Sequence, residues 1–187
     1  MGIPRNSIKP KMATYNIVSC GVTVKTTVTN SATFTDDYIT ELVLSCNHVT
    51  PLIGLDVRSA RSGVTGEMKA ATLTLCSGSR CIIIQLTNMD SIPDSLISFL
   101  SAPLFHFVGI WESLAILEKD YGIVCRNVIE LDPFLFSLVV ALEIKVESKP
   151  SSVMMGNWGA GNLSMEQIQA VTFLAHSFFE CGKFFFT

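Results

Sequence analysis

The chain is short of charge, of basic character and of clustered metal ligands, and each shortage removes a class of function. Asp, Glu, Lys and Arg make up 16% of its 187 residues, against roughly a quarter in an ordinary soluble domain. With a mean hydropathy of +0.45, so lean a surface leaves apolar area for a partner, such as another copy of the chain. A net charge of −3 and a pI near 5.6 exclude a non-specific nucleic-acid binder held by a basic stripe, so any nucleic-acid contact has to be local. No apolar run reaches the ~20 residues of a membrane span. The most apolar window, Leu96 to Trp111, is broken by Ser98, Ser101, Pro103 and His106 and reads as a helix end, a turn and a buried strand. The six cysteines are scattered, Cys76 and Cys81 being the nearest pair. Without a C-x-x-C or Cys/His cluster, zinc is not expected. The leading MGIPRNSIKPK carries no apolar signal run, so the expectation is cytosol or nucleus, off the membrane and with free thiols.

What is present is enough apolar material for one core: 49% of the side chains, in a chain long enough to bury roughly 70% of its unfolded surface. We read residues 1–14 as a flexible lead and 15–187 as a single domain. Residues 15–29, rich in Val and Thr and interrupted at Gly21, predict a strand pair. Thr35-Asp36-Asp37 caps a predicted helix that buries Tyr38, Ile39, Leu42 and Val43 at helical spacing. Strands follow at 51–57, 71–75 and 81–86, the last two joined by the hairpin signal Ser77-Gly78-Ser79-Arg80. A helix opens at Pro93-Asp94 and runs to Leu100, a strand covers 105–110, and a helix over 112–121 stops at Gly122. Val124 to Leu131 predicts a strand, and Phe134 to Val146 is apolar enough for either element, with helix favoured. Ser164 and Gln167 form a capping box that opens a helix along Ile168, Val171, Leu174, Ala175 and Phe178. Strands first and helices later make an α/β fold, a mixed sheet flanked by helices.

The stretch Ile53-Gly54-Leu55-Asp56-Val57-Arg58 carries the chemistry, because it sets an acid on an apolar strand and a guanidinium two residues on. Alternation puts residues 56 and 58 on the same face. Arg58, Arg61, Lys69 and Arg80 are candidates for a local phosphate-binding patch, a solvated face being the plainer alternative. His48, His106 and His176 are read as ordinary partly buried histidines, and Asp132 before Pro133 as a turn initiator. Trp158 and Phe184-Phe185-Phe186 offer ring faces to bases, although packing in core or interface is the reading we take. Asp56 also admits a plain reading, as a strand-end acid satisfied by backbone N–H groups.

The ordered segments VKTTVT (24–29), IGLDVR (53–58), ATLTLCSGSRCIIIQL (71–86), IPDSLISFLSAPLFHFVGI (92–110), LEKDYGIVCRNVIEL (117–131) and NWGAGNLSMEQIQAVTFLAHSFFECGK (157–183) together carry a resemblance. They resemble the plant Werner-like 3′–5′ exonucleases and their small RNA-processing relatives, in the DnaQ-like branch of the ribonuclease H fold. The resemblance implies a Mg2+-dependent enzyme that trims RNA or DNA from the 3′ end with four carboxylates and a Tyr or His. Two metal ions about 3.5–4 Å apart would activate water and stabilise the leaving oxygen, and Mg2+ accepts only hard oxygen ligands.

Against that pattern the chain is depleted. The D-x-E of the first motif stands here as Asp56-Val57-Arg58, so Asp56 is the one metal ligand kept. At ~4 Å and an effective dielectric of ~20, two unit charges interact by about 4 kcal/mol, and a divalent ion doubles this, so Glu-to-Arg turns attraction into repulsion. A swing of Arg58 toward water would reduce that penalty without restoring a ligand. After Phe107-Val108-Gly109 the second acid falls on Ser113, with Glu112 as a possible substitute. The Y-x3-D of the third motif falls on Ala170 and Leu174, and His176, about 200° round the helix from Leu174, replaces neither. The expectation is a catalytically impaired exonuclease-like protein that acts by weak binding of RNA or single-stranded DNA 3′ ends, or by oligomerising with itself or with intact relatives, since the small relatives form closed rings. The alternatives are an active Mg2+-dependent enzyme, in which Asp56 is helped by Glu112 or by a neighbouring subunit, and an interaction protein with no nucleic-acid affinity.

Overall fold

A computed structural model describes residues 9–45, 51–63, 65–131 and 151–183 of the chain. The expected strand pair is β1 (Met12–Ser19) and β2 (Val22–Thr29), an antiparallel hairpin. It starts at Met12, three residues ahead of the predicted strand. Its two-residue turn sets Cys20 and Gly21 at φ +52° and +76°, the left-handed pair that a tight hairpin requires. Helix α1 (Ala32–Ser45) begins earlier than predicted because Ser31 supplies the cap: its hydroxyl accepts from the Phe34 N–H at 3.4 Å. Tyr38, Ile39 and Leu42 are buried as expected, whereas Val43 is exposed.

β3 (Leu52–Arg61), β4 (Met68–Ser77) and β5 (Arg80–Ile84) form an antiparallel meander, with Gly78 at φ +55° in the predicted turn. Helix α2 (Asp94–Ser101), β6 (His106–Gly109) and α3 (Trp111–Tyr121) follow close to their expected bounds. α3 ends on Gly122 at φ +67°, whose N–H returns to the Glu118 carbonyl, a left-handed helix stop. β7 is shorter than predicted, Val128–Glu130. A single helical turn, α4 (Ser151–Met154), has no counterpart among the sequence expectations. The last helix, α5 (Met165–Lys183), opens on the expected capping box: Gln167 N–H donates to Ser164 Oγ at 3.2 Å, and Ser164 N–H donates to Gln167 Oε1 at 2.9 Å. Phe134 to Val146, His48, Asp132 and Phe184 to Phe186 lie outside the described residues.

The strands join one mixed sheet in the order β1-β2-β5-β4-β3-β6-β7, with β2–β5, β3–β6 and β6–β7 parallel. Because β3 lies deep within it, alternate residues of β3 enter different cores. Ile53, Leu55 and Val57 pack with α1, α2 and α3 residues such as Leu42, Leu96 and Leu114. Leu52 packs on the other face with Phe178 and Cys181 of α5. Gly54 lets α5 lie directly on that face, since a Cβ there would sit 2.7 Å from the Phe179 nitrogen and closer still to the Ala175 carbonyl oxygen. Asp56 is next along this covered face. A bulge follows it: Arg58 faces Thr72 but Ser59 faces Ala70, which leaves Ala71 as the extra residue. Such bulges bend a strand and re-aim its side chains.

Candidate active site

Asp56 sits in the middle of β3, beneath α5, and only 3% of its side chain is exposed. A carboxylate so buried demands compensation, and Arg58 supplies it. Arg58 Nε donates to Asp56 Oδ2 and Arg58 Nη2 donates to Asp56 Oδ1, both at 2.8 Å. This is the two-pronged guanidinium–carboxylate geometry, among the strongest polar contacts in proteins. Arg58 therefore does not swing away to water: it turns back on its same-face neighbour and stays 22% exposed. Nor is Asp56 a strand-end acid held by backbone N–H groups; it is mid-strand, and its partner is a cation. Burial pushes its carboxyl above the ordinary carboxylate range, while Arg58 opposes that rise through its charge and its hydrogen bonds.

The described positions around Asp56 supply little further oxygen. Across the strand pair from Asp56 and Arg58 stand Thr74 and Thr72, both buried hydroxyls. Ala170 is buried, and Leu174 packs against the cluster of Leu52 and Val108. Glu112 and Ser113 lie in the first turn of α3, but their side chains fall outside the description. Among the described residues no group of three or more His, Cys, Asp or Glu side chains is placed to hold a metal ion. Mg2+ requires several hard oxygens, and both oxygens of Asp56 already accept from a guanidinium whose charge opposes a metal ion. Among the described residues the donor set does not fit that ion.

The basic residues split into two groups. Arg58 and Arg61 line one cavity of about 670 Å3, and Arg61 and Lys69 line an adjoining one of about 280 Å3. Arg80 lies elsewhere. It pairs with Ser77 while Arg58 pairs with Thr72, a separation of roughly 17 Å along β4 at ~3.3 Å per residue. There Arg80 Nη2 bonds Glu41 Oε2 at 2.5 Å and its guanidinium covers the Tyr38 ring. Trp158 follows the packing reading: it is buried with Ala60 and Ile168, and its indole N–H donates to the Met154 carbonyl at 3.0 Å. Sequence reasoning missed the turn around Met154, Met155 and Asn157, which walls the larger cavity; its only signal was the polar, glycine-bearing MGNWGAG run.

His106 opens β6 and is half-buried. His176 is more buried than expected, 1% exposed. Its Nδ1 lies 2.9 Å from Ser19 Oγ, and its Nε2 lies 3.7 Å from Glu180 Oε1. Burial lowers the imidazole below its ordinary value, Glu180 works to raise it and Lys183 to lower it further. A depressed folded value means that the unfolded chain binds the proton better, so this contribution to stability is complete above about pH 6.5 and is lost as pH falls through the folded value. We expect His176→Gln to flatten the drop in melting temperature between about pH 7.5 and pH 5. Parallel curves for the variant and the wild type would contradict this role.

With this geometry in view, no family model matches the chain, and no curated protein matches it. Solved structures do. The EXD2 exonuclease domain superposes with a TM-score of 0.52 at 18% identity, over 86% of this chain and 87% of that one. Soaked with Mg and GMP, the same domain gives 0.50 at 20% identity, over 81% and 83%. The fold is the DnaQ-type ribonuclease H-like exonuclease fold. Escherichia coli RNase D, an exoribonuclease involved in structured RNA processing, superposes with a TM-score of 0.60 at 13% identity. That match covers 84% of this chain and 42% of RNase D, so the chain spans less than half of that enzyme's length. At these identities the likeness establishes the exonuclease fold and leaves activity to the site.

Proposed function

We propose that the chain is a 3′–5′ exonuclease-like protein that has given up metal-dependent hydrolysis and holds single-stranded nucleic-acid ends, as a degenerate relative of the plant Werner-like enzymes. The observation that carries this reading is the Asp56–Arg58 fork, a cation fixed on the carboxylate that a metal ion would need. Binding of nucleic acid is supported by the fold neighbours, which include an exoribonuclease and an exonuclease domain soaked with GMP. It is supported as well by the arginine-lined cavity beside the fork. The cation in the fork supplies no water activation and no leaving-group stabilisation of the two-metal kind.

The test is release of nucleotide from 3′-labelled single-stranded RNA and DNA during a Mg2+ and Mn2+ titration, with Asp56→Ala as the control. The expected result is that wild type and control release label equally slowly at every metal concentration. Release that needs the metal and vanishes in Asp56→Ala would overturn the proposal in favour of an active enzyme.

A further inference from the structure

We infer that the neighbouring cavities between the end of β3 and the 154–159 turn form a metal-independent phosphate site for single-stranded nucleic acid, worked by Arg58 and Arg61. The inference rests on the nucleic-acid reading above and assigns it a place and a chemistry.

The argument begins with unused donors. The fork engages Arg58 through Nε and Nη2, which leaves both Nη1 protons of a group that lines the larger cavity. Asp56 balances the Arg58 charge, so this side chain offers direction more than net attraction. The attraction comes from its neighbours. Among the described residues neither Arg61 nor Lys69 has a carboxylate within the 4 Å of an ion pair; Arg61 Nη1 donates only to the Gly66 carbonyl at 3.3 Å, and Lys69 Nζ rests 4.7 Å from the Tyr121 ring centre. Two cations outside any ion pair therefore stand beside a fixed guanidinium on one strand pair, Arg61 facing Met68 and Lys69 facing Ala60, with Glu67 next to Met68 and the Asp120 carboxylate held on the Ala70 N–H at 2.7 Å. On a chain whose net charge is −3, contact with phosphate at this place is local and rests on guanidinium and ammonium donors.

The larger cavity has room for more than a lone anion. The larger cavity, about 670 Å3, lies within the roughly 300–1,000 Å3 of small-ligand clefts, and its walls include Met68, Met154, Met155 and Trp158. Apolar and thioether groups suit the faces of bases and sugars. The adjoining cavity shares Ala60 and Arg61 with it, so the cations line two neighbouring cavities. Arg58 and Arg61 stand three residues apart on β3, a backbone rise of roughly 10 Å at ~3.3 Å per residue that starts them on opposite faces of the strand, yet both line the larger cavity.

The experiment is fluorescence anisotropy of short 5′-labelled oligouridylate and oligothymidylate at low salt, repeated in EDTA and across a salt series, with inorganic phosphate as a competitor. Wild type is expected to bind equally with EDTA and with Mg2+. Arg61→Ala, an exposed position whose truncation spares the core, is expected to bind about tenfold more weakly and to flatten the log–log salt slope by about 0.7, one phosphate on a single strand. Arg80→Ala, on the far side of the sheet, is expected to change affinity less than about twofold. Binding that Arg61→Ala leaves intact overturns this site while the nucleic-acid reading stands. Binding abolished by EDTA overturns the metal independence. Full competition by phosphate at the oligonucleotide's own affinity overturns the strand in favour of a bare anion. No binding by the wild type at low salt overturns both the site and the reading beneath it.

Discussion

Replacing Arg58 with alanine is expected to destabilise the folded chain by about 3 kcal/mol at neutral pH, at the lower end of what breaking a buried pair costs because Arg58 retains some exposure. Asp56 would keep its burial and lose the partner of both its oxygens. The loss should depend on pH in a definite direction. Burial already pushes the Asp56 carboxyl upward, and Arg58 is what opposes it, so in Arg58→Ala the folded value rises further above the unfolded one. A raised folded value makes the folded state the better proton binder, and stability then falls as pH rises from the unfolded carboxyl value through the folded one. Chemical denaturation of Arg58→Ala should therefore approach wild type near about pH 4 and diverge toward pH 7. The double variant Asp56→Leu/Arg58→Met should recover most of the loss, because well-packed apolar replacements of buried pairs are often neutral or better. A single variant as stable as wild type at pH 7 would show that the fork does not compensate Asp56.

Gly54→Val is expected to cost more than about 4 kcal/mol, the range reserved for severe core disruption. At Gly54 a Cβ would meet backbone, the Ala175 carbonyl and the Phe179 nitrogen 2.7 Å away, so no side-chain rotation relieves it. Relief requires lifting α5, which also holds Ile168, Val171 and Phe178 in two separate apolar clusters. The alternation that makes this glycine necessary also sets Asp56 under the same helix, so lifting α5 exposes the fork. The measurement is the midpoint of urea unfolding together with the fraction of chain folded without denaturant. A variant within about 1 kcal/mol of wild type would mean that α5 does not bear on β3 as closely as described.

Local signals carried most of the fold. The 77–80 hairpin, the Gly122 stop and the Ser164–Gln167 box each depend on a few adjacent residues, and each stands where the sequence put it. α1 starts early because a serine cap at Ser31 preceded the more conspicuous Thr35-Asp36-Asp37. The fork was not legible, because alternation places Arg58 beside Asp56 without deciding which way a long side chain turns. Charge repulsion from a metal argued for water, whereas the buried carboxylate draws the guanidinium inward. The basic patch failed in one member for a topological reason: Arg80 is near the others in sequence, but the β4–β5 hairpin carries it to the opposite end of the sheet.

The most direct test of the account is calorimetric titration of Mn2+ into wild type and Asp56→Asn, with no nucleic acid present. With the carboxylate held by Arg58, the two proteins should give the same weak, featureless heats. A saturable wild-type isotherm that disappears in Asp56→Asn would mean that the metal displaces the guanidinium, and the claim that arginine has closed this site would be wrong.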